Sequence, residues 1–131
     1  MNERTILPNE IIPVRTAVSK AFRTLRKKGF IARMNFACCM TCAVHELTEI
    51  ARTRNKDRAV YYHRQDAESF REGFPLHIRF FYLPPEDDDS DHTALEKEVG
   101  EQVATALRKQ HLKIEWDSNP LHTIQVVGIE A

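Results

Sequence analysis

Phe30-Ile31-Ala32-Arg33-Met34-Asn35-Phe36-Ala37-Cys38-Cys39-Met40-Thr41-Cys42-Ala43-Val44-His45-Glu46 changes its periodicity once, and that change decides the fold. Over Phe30 to Phe36, Phe30, Ala32, Met34 and Phe36 alternate with Ile31, Arg33 and Asn35, which predicts a strand that Ile31 blurs. Beyond the cysteines the spacing lengthens. Ala43, Leu47, Ile50 and Ala51 recur at helical intervals with Val44 beside them, predicting a helix over 41–54 with Thr41 as its N-cap. Asn55 to Arg58 is a polar turn, and the β-formers Val60, Tyr61 and Tyr62 predict a strand over 59–63. Two strands joined by one helix are expected to lie parallel and adjacent. Both then end on the same sheet edge, one in Cys38 and the other in His63.

Outward from this unit, residues 1–12 read as an irregular lead-in, with Pro8 and Pro13 as breakers. Val14, Ala17, Val18, Ala21, Phe22 and Leu25 form a helical stripe that Gly29 stops. Downstream, 65–72 predicts a short polar helical turn ended by Gly73. Leu76 to Leu83 predicts a central strand between Pro75 and Pro84. Glu86 to Asp91 is acidic but lacks the spacing and glycine of a calcium-binding EF-hand loop. Thr93-x-x-Glu96 reads as a capping box opening a helix whose core stripe is Leu95, Val99, Val103, Ala106 and Leu107. Strands over 112–116 and 123–129 close the chain as a hairpin around Asp117-Ser118-Asn119-Pro120. The expected fold is a single α+β domain over 1–131. It has one mixed or mostly antiparallel sheet of about five strands, with helices packed mainly on one face.

Composition excludes several classes. The chain of 131 residues is 42% hydrophobic and 29% charged, as ordinary globular domains are. No apolar run approaches the roughly 20 residues of a membrane helix. The first 15 residues show no secretory h-region, so a cytoplasmic location without membrane contact is expected. Three cysteines cannot all pair within one chain, and in the cytosol clustered thiols point to redox or metal chemistry. Formal net charge is zero, yet residues 1–64 hold 13 Lys and Arg against 5 Asp and Glu, and residues 65–131 hold 6 against 14. The preferred reading is two halves that partly neutralise each other across one fold. The basic residues of the first helix are read as a solvated face, and no nucleic-acid partner is expected.

All three cysteines lie within five positions, and His45 follows three residues after the last. Cys39-Met40-Thr41-Cys42 is a C-x-x-C between a predicted strand and a predicted helix. A thiol at a helix N-terminus is favoured as thiolate. In this reading Cys39 attacks, Cys42 resolves, and Cys38 and His45 tune the site, making a thiol-based redox or redox-sensing protein. At about 100° per residue, Cys42, His45 and Glu49 share the helix face opposite the apolar stripe, and Cys38 joins them if helical geometry extends back one turn. The alternative is a zinc-binding or protein-interaction module without catalysis, with Cys39, Cys42 and His45 as ligands. Adjacent Cys38 and Cys39 are not expected to reach one tetrahedral ion together, so the fourth ligand would come from another element, such as His63 or Asp66. The bland reading, three small buried apolar side chains, stands beside both. Tyr62-His63-Arg64-Gln65-Asp66 leaves a strand end and can offer an acid–base pair to the cysteines. The likeness to thioredoxin is local, since the helix order differs and the tryptophan that leads the usual redox motif is absent.

From about Phe22 to Val127 the chain resembles a bacterial domain family of unknown function. The likeness rests on Leu25-Arg26-Lys27-Lys28-Gly29-Phe30-Ile31-Ala32, on Asn35-Phe36-Ala37-Cys38-Cys39-Met40-Thr41-Cys42, and on Tyr62-His63-Arg64-Gln65-Asp66 and Ile114-Glu115-Trp116-Asp117. Ala43 departs from the family's usual glycine. The resemblance implies a shared domain and no activity, cofactor or catalytic residue.

Overall fold

The computed structural model describes residues 5–130. Five strands form one sheet: β1 (Ile31–Arg33), β2 (Arg58–Tyr61), β3 (Leu76–Tyr82), β4 (Leu112–Glu115) and β5 (Ile124–Ile129), in the order β1-β2-β3-β5-β4. β1 and β2 are parallel, with Ala32 opposite Val60, and the remaining pairings are antiparallel. The sheet is therefore mixed, and its parallel pair is the one the crossover predicts. The helices are α1 (Ile11–Lys27), α2 (Met40–Thr53), α3 (Arg64–Arg71) and α4 (Thr93–Lys109). The class is α+β.

Strand alternation divides the core in two. Ala32, Val60, Leu76, Ile78, Ile124 and Val126 belong to the larger cluster, with Val14, Val18, Phe22 and Leu25 of α1 and Val103 and Leu107 of α4. Ala67 and Phe70 of α3 join the same cluster. Ile31, Ala59 and Tyr61 meet Ala43, Leu47 and Ala51 of α2 in a second, smaller cluster. Most helices thus share one core, and α2 alone builds the other. Burying a leucine such as Leu47 contributes about 1.5–3 kcal/mol, so this small cluster is what seats the cysteine-bearing helix.

Several boundaries differ from expectation, each for a local reason. β1 stops at Arg33 because Asn35 and Ala37 adopt positive φ of 50° and 63°, which turns the chain out of the strand. Phe36 still donates its amide to the Tyr62 carbonyl at 2.9 Å. α2 begins at Met40, with Cys39 extended at its N-cap, so Thr41 lies inside the helix and is not the cap. α1 begins at Ile11, before Pro13. That proline sits in the first turn, where a missing N–H removes no helix bond. The expected irregular lead-in is instead anchored: Ile6 is buried and its amide donates to the Gly73 carbonyl at 2.9 Å. The part of that lead-in before Thr5 lies outside the described residues. At α4 the cap residue is His92, and the Thr93 hydroxyl turns back to Asp91 at 2.6 Å, so no capping box forms. Leu95 points to solvent and leaves the expected stripe.

Gly100 marks the tightest packing on α4. A Cβ there would come within 2.6 Å of the Trp116 ring and 2.7 Å of Phe80. These two rings meet edge-to-face at 5.7 Å. Gly100→Ala adds about 1 kcal/mol of helix propensity. Overpacking costs about 1–3 kcal/mol, so we expect net destabilisation of about 1 kcal/mol by urea unfolding. Unchanged or higher stability would show that Trp116 yields freely.

Candidate functional site

The parallel pair brings two loops to one edge of the sheet. After β1 comes the thiol turn, Ala37 to Cys42. After β2 comes His63, the N-cap of α3. The thiol turn folds tightly. Cys38 Sγ lies 3.8 Å from Cys39 Sγ and 3.6 Å from Cys42 Sγ, and all three sulfurs lie within 4.8 Å of one another. All three are free thiols, with Cys38 and Cys42 exposed and Cys39 half-buried. The bland reading of buried apolar cysteines is therefore excluded. So is the expectation that Cys38 and Cys39 cannot converge. The bend at Ala37 and the extended backbone at Cys39 fold both side chains over the first turn of α2, where Cys42 meets them.

The thiols are electrostatically unequal. The Cys42 amide faces the Cys39 sulfur, short of a regular cap hydrogen bond, and holds that thiol below its ordinary value, with help from the Cys38 and Cys42 thiols. Cys42 is pushed up to about 11, because hydrogen bonding to Cys38 and Cys39 favours its neutral form. His45 does not join the cluster. It points along α2 to Glu49, Nε2 to Oε1 3.4 Å, on an exposed face. The sulfur-only set Cys38, Cys39 and Cys42 is what the turn gathers, in place of Cys39, Cys42 and His45.

Across the cleft His63 and Asp66 form a reciprocal cap. The Asp66 amide donates to His63 Nδ1 at 3.2 Å, and the His63 amide donates to Asp66 Oδ2 at 3.1 Å. Arg79 of β3 grips the same carboxylate with two parallel bonds, Nε to Oδ2 2.9 Å and Nη2 to Oδ1 3.0 Å. Such forked pairing is the strong form of the guanidinium–carboxylate contact. It holds the Arg79 pKa above the ordinary range. Both carboxylate oxygens are engaged, and His63 uses Nδ1 as an acceptor. The pair expected to serve as an acid–base couple is thus engaged with each other's backbone amides and with Arg79. Arg79 and His77 are the residues sequence reading missed, though a charge and an imidazole inside an apolar strand were the available signal.

These groups line one cleft. Cys39, Met40, Thr41, His63, Gln65, Asp66, Ser69, His77 and Arg79 border an open, shallow cleft of about 510 Å³. A larger cleft of about 580 Å³, bordered by Arg52, Lys56, Arg58 and Pro84, contains no cysteine or histidine and is remote from this chemistry. Among the described residues no helix is long and apolar enough to cross a membrane.

Two outcomes follow from the electrostatics. At neutral pH limited iodoacetamide should label Cys39 before Cys42, as read by peptide mass spectrometry; the reverse order would contradict the asymmetry. Burial lowers the folded pKa of both His63 and His77 below the ordinary 6.5. The unfolded chain therefore binds more protons at mildly acidic pH. This stability is fully present above about pH 6.5 and is lost as pH falls through the folded values. Urea-unfolding free energy should decline from pH 7 to 5, and His77→Asn should decline less steeply. Parallel profiles would remove His77 from the account.

A family model described as "Domain of unknown function (DUF6891)" matches residues 16–130. No curated protein and no solved structure matches the chain. With nearly all of its length matched by that model, the chain belongs to the DUF6891 family, a domain of unknown function.

Proposed function

We propose that this protein binds one soft metal ion through Cys38, Cys39 and Cys42, with a fourth position left open to solvent or to an exchanging ligand. The carrying observation is the sulfur triangle. A tetrahedral ion with metal–sulfur bonds of about 2.3 Å needs sulfurs about 3.8 Å apart. The separations of 3.6 and 3.8 Å around Cys38 match that edge closely. Thiolate donors favour zinc or copper(I) over magnesium or calcium. Exposure of two of the three sulfurs suits an ion that enters and leaves. A metal would also draw the Cys42 thiol into its thiolate form, against the neighbours that hold it protonated.

Zinc is the probe of choice. Reduced protein mixed with excess Zn²⁺ and desalted should carry one zinc per chain by elemental analysis. Cys38→Ser should weaken binding by more than about tenfold, since loss of an outer-shell partner alone costs about 10–100-fold. His45→Ala should bind as the parent does. Retention of full affinity in Cys38→Ser, or its loss in His45→Ala, would overturn this ligand set.

A second reading is favoured by the position of Cys39 at the helix N-cap with Cys42 one turn on. In it the Cys39 thiolate attacks one sulfur of a disulfide substrate and expels the other as a thiolate. Cys42 then attacks Cys39, closing the protein disulfide and releasing the second substrate thiol. The substrate gains two electrons and the protein loses them. Incubation with oxidised glutathione followed by non-reducing peptide mapping should find a Cys39–Cys42 bond. Stable mixed disulfides without ring closure would count against this reading and leave metal binding as it stands.

A further inference from the structure

The cleft between the thiol turn and α3 holds more hydrogen-bond donors than the protein supplies with acceptors. The His63 side chain is 5% exposed, and its Nδ1 accepts the Asp66 amide. A neutral imidazole accepting at Nδ1 carries its proton on Nε2. Among the described residues this Nε2–H has no hydrogen-bond partner, and it is not sealed from solvent. Its opening is the cleft that His63 lines. Arg79 engages Asp66 through Nε and Nη2, while its Nη1 faces only the Met40 sulfur at 3.9 Å. A thioether is a weak acceptor. Gln65 and Ser69 border the same space, and its one carboxylate, Asp66, already has both oxygens occupied. The Thr41 and Cys42 amides of α2 face the Cys39 sulfur.

Water reaches the His63 donor, and an incoming oxyanion can replace that water with a directional bond while Arg79 adds a charge-assisted one. We propose that this cleft binds a small oxyanion, a carboxylate or phosphate group, through His63 Nε2–H and Arg79 Nη1–H, with Gln65 and Ser69 at the rim. The guanidinium supplies the charge-assisted bond and the imidazole the directional one. The bound group lies on the wall that Cys39 shares, beside the thiol cluster and separate from it. The proposal requires no metal.

The test uses reduced, metal-free, full-length protein. Inorganic phosphate and, separately, acetate are titrated at constant ionic strength, with chloride as the reference. The readout is the His63 imidazole nitrogens and the backbone amides of residues 63–69 by nuclear magnetic resonance. We expect a saturable shift at His63 Nε2 with phosphate or acetate and none with chloride. The tighter of the two identifies the ligand class. Ser69→Glu places a carboxylate at the rim from an exposed position and should weaken binding by about tenfold or more through like-charge repulsion. Gln65→Glu is the second variant should the first misfold. Shifts that chloride reproduces, or both variants titrating like the parent, would overturn the proposal. Zinc binding is measured separately in buffer free of phosphate and carboxylate, so either idea can fail without the other.

Discussion

The parallel pairing of β1 with β2 is the constraint on which the site depends. It is the one parallel contact in a sheet whose other pairings are antiparallel. A parallel pair needs a crossover, and here the crossover is α2. Both strands must then release their chains at the same sheet edge. One release is the thiol turn and the other is the cap of α3. Had the strands paired antiparallel, Cys39 and His63 would stand at opposite ends of the sheet. Chemistry gathers at the carboxyl ends of parallel strands because two loops are delivered there together.

Packing and electrostatics then divide the labour. The small cluster of Ile31, Ala43, Leu47, Ala51, Ala59 and Tyr61 seats α2 without using its outer face. That leaves Cys42 and His45 in solvent and the three sulfurs free to converge. On the other wall, the buried Asp66 carboxylate must be paired, because an uncompensated buried charge is strongly destabilising. Arg79 and the His63 amide meet that need. The Asp66 amide, donating to His63 Nδ1, fixes that ring and leaves its proton on Nε2. A structural requirement, a paired buried charge, therefore sets the donors that the cleft presents. The Arg52–Glu86 pair also joins the basic half of the chain to the acidic half.

The sequence made the architecture legible where a periodicity ran long enough to be read. The stripe of α1, most of that of α4 and the terminal hairpin follow from spacing, and the parallel crossover follows from two strands joined by one helix. Caps were harder. Thr41 and Thr93 are favourable cap residues by type, yet Cys39 and His92 occupy those positions. In the first case the bend at Ala37 decides where the helix begins. Pro13 misled in the opposite direction, since proline is tolerated in a first turn. Within the site, Cys39 and Cys42 were visible from their spacing. Cys38 was legible as a neighbour of Cys42, but its convergence with Cys39 was not, because it follows a turn with positive φ at Ala37, an alanine that carries no such signal. Arg79 stayed hidden because its partner Asp66 is 13 residues away and meets it only across a sheet edge.

The proposed three-sulfur site is tested most directly by X-ray absorption at the zinc edge of zinc-loaded protein. Three sulfurs at about 2.3 Å and one lighter scatterer at about 2.0 Å are the expected result. Two sulfurs accompanied by the outer-shell pattern of an imidazole would instead place His45 in the site and contradict the centre built by Cys38, Cys39 and Cys42.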